Sequence, residues 1–168
     1  NLTIAASSYK LAEESKKRIG EIENVARFIR IGRANLSNPA NKNTFQETIV
    51  LGTPGLMEMF DFETVDGSIK SALNEPNSIV IVEELAQRLF NTTQVVGKTV
   101  DFEFGTDKPL KITAVLKNHP RNSSLDFNSI VSEATIRSDE EFAEWTTDWA
   151  SQNFTTFFLL KEKANPEK

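Results

Sequence analysis

The stretch "NSIVIVEELAQRLFN", residues 77–91, limits the possible folds more than any other part of the chain. Ile79, Val80, Ile81 and Val82 form a short, continuous, β-branched run, the pattern of a strand covered on both faces. The strand passes straight into a helix with Leu85, Ala86, Leu89 and Phe90 on one side. Glu83 and Glu84 fall in its first turn, where acid groups favour the positive end of the helix dipole. Asn91 closes it, because asparagine tolerates the left-handed conformation that helix stops use.

The other segments arrange themselves around this unit. "SSYKLAEESKKRIGEI", residues 7–22, reads as a one-sided surface helix with Leu11, Ile19 and Ile22 among charges. "VARFIRIGRANLS" sets Val25, Arg27, Ile29 and Ile31 against Phe28 and Arg30, the two-residue period of a half-buried strand. The Asn-rich turn "NLSNPANKN" and the returning strand "TFQETIVLG" complete a hairpin. "TPGLMEMFDF" predicts a short helix with Pro54 in its first turn, and "SIKSALNEP" a second helical turn ended before Pro76. Strands are expected at "TVDFEF", "LKITAVL", "LDFNSIVSEATI" and "NFTTFFLLKEK", with an acidic helix at "SDEEFAEWTTDWA". The expectation is an α+β fold with a mixed sheet and at least one strand-helix-strand unit.

Composition narrows the function classes. A chain of 168 residues can bury a core without staples, and 12 Phe against one Tyr and two Trp are most economically spent on filling it. The net charge of −5, with no clustered Lys/Arg stripe, argues against nucleic-acid partners. The absence of cysteine removes disulfides, thiolate metal sites and Cys nucleophiles together. No apolar run approaches the roughly 20 residues of a membrane-spanning helix. No charged-then-apolar signal segment opens the chain, whose bare ends at Asn1 and "KEKANPEK" suit a soluble piece of a larger protein.

"VVGKTV", residues 95–100, ends like a phosphate-binding loop in Gly97, Lys98 and Thr99. Such a loop needs a further glycine where this chain has Thr92, a strand before it and a helix after it. Here the order is inverted, so a turn feeding a strand is the expectation. His119 is the only histidine, so a hydrolase would have to use it, yet no Gly-x-Ser-x-Gly elbow accompanies it. Beside Pro120 in a loop, it is expected to be exposed and inert. No Asp-rich calcium loop occurs, and the neighbours Glu83/Glu84 and Glu140/Glu141 point different ways on a helix.

Neither a cofactor nor a metal site is expected. Asn-x-Ser/Thr sequons at Asn1, Asn35, Asn91, Asn122 and Asn153 are what an Asn- and Thr-rich composition produces. Trp145 and Trp149, four apart, are expected to face a core; exposed, they would instead offer a stacking platform to a sugar or peptide.

Five segments from Thr53 onward, "LMEMFDFETVDG", "EPNSIVIVEELAQRLF", "VVGKTV", "KITAVLKNHPRNSSLDFNSIVS" and "NFTTFFLLKEKANPE", resemble in that order the MacB-like periplasmic core domain of ABC-transporter permeases, of the Bacteroidetes type. Residues 1–52 match more loosely. Val82 stands where the family often has a capping Thr, Val95 where it often has Pro, and Leu56-Met57 where it often has two Phe. These are packing and capping changes.

The resemblance implies a single non-catalytic domain over residues 1–168, with two lobes. It would lie between the first two transmembrane helices, on the periplasmic side of the bacterial cytoplasmic membrane. It further implies as partners a cytoplasmic ABC ATPase, a second permease copy, and a periplasmic adaptor or exported substrate. ATP would be hydrolysed in another chain. For partner contact the loop at Arg121, Asn122 and Ser123 is the candidate, with the turn "NPANKN" beside it, because loops on rigid scaffolds commonly carry contacts. The alternative is an independent secreted carbohydrate- or peptide-binding module.

Overall fold

The computed structural model describes residues 6–103, 109–119, 125–135, 137, 144, 149 and 153–164. In chain order these form β1 (Ala6–Ser7), α1 (Tyr9–Arg18), β2 (Ile22–Ser37), β3 (Thr44–Gly52), α2 (Pro54–Met59), β4 (Thr64–Gly67), β5 (Ser78–Val82), α3 (Glu83–Phe90), β6 (Thr99–Phe102), β7 (Leu110–Leu116), β8 (Ser129–Ser132) and β9 (Phe154–Leu160). Short 3-10 turns occupy Ile69–Ser71 and Glu133–Thr135.

Every residue of β5 is buried, as its unbroken β-branched run requires. It runs parallel to β7 on one side and antiparallel to β8 on the other. The link from β5 to β7 passes through α3 and β6, which gives the expected strand-helix-strand unit. Asn91 sits at φ 56°, the left-handed stop foreseen for α3.

Among the described residues nine strands make one mixed sheet, in the order β1-β9-β2-β3-β8-β5-β7-β4, with β6 pairing both β2 and β7. Strand β2 is long enough at 16 residues to serve three neighbours: β9 along its first half, β3 along its second, and β6 at Leu36 and Ser37. A bulge between Arg30 and Gly32, with Gly32 at φ 114°, interrupts the pairing with β3. Through β6 the pairings close a ring, β2-β3-β8-β5-β7-β6, around one contiguous apolar cluster that runs from Tyr9 to Phe154.

Several expectations change. Ala26, Arg27, Phe28 and Ile29 are all buried, so β2 is covered on both faces there instead of alternating. "LDFNSIVSEATI" supplies only the four-residue β8 before a 3-10 turn, and "SIKSALNEP" only the turn Ile69–Ser71. β1 and β4 were too short and too polar to read as strands; each exists because β9 and β7 offer a free edge to pair with. The helix expected at "SDEEFAEWTTDWA" falls largely outside the described residues.

Candidate functional site

The "VVGKTV" segment is a turn whose amides already have partners. Asp66 Oδ2 accepts from Val95 N at 2.8 Å and from Val96 N at 2.9 Å. Gly97 N donates to Ile112 O at 2.8 Å, and Lys98 N to Val95 O at 3.0 Å. A carboxylate thus occupies the place a phosphate would need. Gly97, at φ 88°, makes the reversal into β6. Lys98 Nζ lies 5.3 Å from the centre of the Phe90 ring and covers the end of α3.

His119 departs from the expectation of an exposed, inert ring. It is half-buried, with its centroid 4.1 Å from that of Phe127 and 5.8 Å from that of Phe62, both edge-on. Its Nε2 is buried and without a hydrogen-bond partner. Burial lowers its pKa, opposed by the charge of Asp126. Phe residues hold it because β7 ends beside the Phe60–Phe62 segment that follows α2 and beside the run into β8. Among the described residues the ring is walled by Phe62 and Phe127, and no nucleophile is bonded to its Nε2.

The most concentrated electrostatics lie where the sequence pointed to none. Arg27, buried in β2, donates through Nη2 to Glu133 Oε1 at 3.1 Å and through Nε to Oε2 at 3.4 Å. Its Nη1 donates to Tyr9 O at 3.0 Å, and its guanidinium lies 3.8 Å from the Tyr9 ring centre. Tyr9 Oη and Arg137 Nη2 also donate to Glu133 Oε1, at 2.9 Å and 3.1 Å. Burial, and then the Glu133 charge, push the Tyr9 hydroxyl up to about 12. A charged residue inside the apolar run "VARFI" was the available signal, because a buried arginine requires a buried acceptor. The cluster joins α1, β2 and the segment after β8.

A cleft of about 550 Å³ opens over α2, lined by Met57, Glu58, Phe60, Asp61, Phe62 and Lys70 among others. Its aromatic wall continues inward, with Phe60 against Phe157 at 5.1 Å and Phe62 against Phe127 at 5.8 Å. Trp149 does not face the core: it is 54% exposed and lines a shallow groove with Leu11, Arg18 and Ile19 of the α1 region. Trp145 lies outside the described residues, as do Arg121, Asn122 and Ser123.

In the turn "NPANKN" Pro39, Ala40, Asn41 and Lys42 are exposed, while its asparagine amides reach α3. Asn38 Nδ2 and Asn41 Nδ2 donate to Leu89 O at 2.9 Å and 3.0 Å, and Asn43 Nδ2 reaches the same carbonyl at 3.4 Å. These amides satisfy the end of α3, where carbonyls otherwise lack donors. Among the described residues no group of three or more His, Asp or Glu is placed to hold a metal ion. Nor is any helix long and apolar enough to cross a membrane.

A mixed sheet closed around one apolar core defines an α+β domain. The chain matches the MacB-like periplasmic core domain over residues 2–168 and belongs to that family. Solved structures share its fold. A domain assigned to a permease of Porphyromonas gingivalis aligns with a TM-score of 0.79 at 24% identity, covering 99% of this chain and 68% of that one. The periplasmic region of MacB from Actinobacillus actinomycetemcomitans aligns at 0.64 and 13% identity, with 99% and 68% covered. The extracellular domain of the noncanonic ABC-type transporter YknZ from Gram-positive bacteria aligns at 0.59 and 15% identity, with 94% and 75% covered. No curated protein sequence matches the chain.

Proposed function

We propose that this chain is a non-catalytic extracytoplasmic domain of an ABC-transporter permease, coupling motion driven by a cytoplasmic ATPase to export or to an envelope partner. Membership of the MacB-like family supports the setting. The carrying observation is the pairing of the first and last strands. β1 runs antiparallel to β9, with Ala6 opposite Thr155 and Ser7 opposite Phe154. The first and last described strands are therefore neighbours at one edge of the sheet, which supports a domain whose two ends connect to neighbouring membrane helices.

In this reading residues 1–168 form one domain, two-lobed as in the family, inserted between the first two transmembrane helices. Its partners are the ATPase, a second permease copy, and an adaptor or exported substrate. The joint of Tyr9, Arg27 and Glu133 fits the role, because it ties the helix that follows β1 to the sheet interior. Contact through the loop at Arg121, Asn122 and Ser123 belongs to the same proposal, and unchanged transport in cells carrying Arg121→Glu would remove it.

The test uses the full-length permease. Protease added to intact spheroplasts is expected to cut within this domain without lysis. Deleting residues 1–168 is expected to leave ATPase binding intact and to abolish export. Cleavage only after lysis, or export at the unaltered rate, sinks the proposal.

A further inference from the structure

His119 sits in a seat that suits only its neutral form. Its ring packs edge-on against Phe127 at 4.1 Å and Phe62 at 5.8 Å, while Phe62 and Phe127 touch each other at 5.8 Å. Neutral imidazole leaves one buried acceptor, Nε2, without a donor, a modest cost. Protonation converts that atom into a charged N–H with no acceptor among hydrocarbon rings, and the cost rises steeply.

Among the described residues the charged groups on the elements packed around the ring are few. Asp61 and Glu63 lie on the connection from α2 to β4, where Glu63 is ion-paired with Lys117 at the end of β7. Glu83 and Glu84 open α3, where Glu83 accepts from Asn118 N and Glu84 N donates to Asn118 Oδ1. Arg30 Nη2 donates to Asp126 O. The Asp126 charge alone registers at His119 as favouring the proton, and burial outweighs it.

We propose that His119 is a proton-operated latch: on taking up a proton its ring leaves the seat between Phe62 and Phe127 and loosens the contact between the segment after α2 and the run into β8. Phe62 also walls the cleft over α2, so release of the latch reshapes that cleft. Asp126, the acidic group favouring the charged ring, becomes its partner outside the seat.

The chain has one histidine, so the imidazole Cε1–H proton resonance reads the latch directly. The expected midpoint lies below 6.5, the ordinary histidine value. Each unit of depression corresponds to an about tenfold stronger preference of the neutral ring than of the charged ring for the seat. The Phe62 and Phe127 ring resonances are expected to move with the same midpoint. In His119→Phe, which keeps an aromatic ring in the seat, they should stay still across the range where histidine titrates. A midpoint at or above 6.5, or Phe62 and Phe127 resonances indifferent to the titration, overturns the proposal. The wild-type titration decides it even if the variant fails to fold.

Discussion

Arg27 is held inside a sheet by groups that are distant in sequence, and each of those groups has a measurable consequence. Glu133→Ala removes the carboxylate that accepts from Arg27 Nε and Nη2 and from the Tyr9 hydroxyl, and is expected to cost about 3–5 kcal/mol in denaturant unfolding. Replacing both partners, Arg27→Met with Glu133→Leu, should recover most of that loss, because no charge is then stranded. Tyr9 is the only tyrosine, so tyrosinate absorbance reports it alone. Its pKa is raised from 10.0 to about 12, so the folded state favours the protonated hydroxyl. The resulting stability is full below pH 10 and is expected to drain away as pH rises through about 12. His119 has the opposite shift, and its contribution is full above pH 6.5 and lost as pH falls through the lowered folded value. Arg27 was legible as an anomaly in "VARFI"; its partner was not, because no local pattern links residues so far apart in the chain.

At the scale of elements, the helix caps and turns carry the sequence signals that held. Asn91 stops α3 as asparagine should, and Pro54 opens α2. What the turn after α3 does was readable only in part. The inverted order around "VVGKTV" argued against a phosphate loop, whereas the acceptor that occupies its amides, Asp66, belongs to β4, a strand the sequence did not reveal. Asp66→Ala is expected to cost about 1–3 kcal/mol and to speed amide exchange at Val95 and Val96. Gly55→Ala tests the seating of α2: a Cβ there would collide with the backbone oxygen of Val25, so the helix must move off β2. A loss of about 1–3 kcal/mol is expected, with Ala26 and Leu56 resonances shifted.

For the whole molecule, the ring of strand pairings through β6 and the single apolar cluster imply that its parts unfold together. Denaturant unfolding followed by tyrosine fluorescence and by far-ultraviolet circular dichroism is expected to give coincident single transitions. Two separated transitions would instead reveal lobes that unfold independently. The antiparallel β1/β9 pair puts the first and last described strands side by side, so a pull applied at β1 loads β9 and then β2 across their shared ladder. Ser7 Oγ reinforces that entry point, donating to Phe154 O at 3.1 Å.

The sequence by itself determined the α+β class, the buried strand at Ile79–Val82 running into an amphipathic helix, the hairpin around the Asn-rich turn, and the ordered segments that mark the family. Those signals are local: side-chain periodicity, capping chemistry and the stiffness of proline act within a few residues. Only the tertiary structure decided that β6 closes the ring, that Glu133 answers Arg27, that the "NPANKN" amides serve α3, and that His119 lodges between Phe62 and Phe127. Each of these depends on which free edge, unpaired charge or unfilled apolar gap remained once the chain had packed. That compensation is made between distant residues and leaves no period in the sequence.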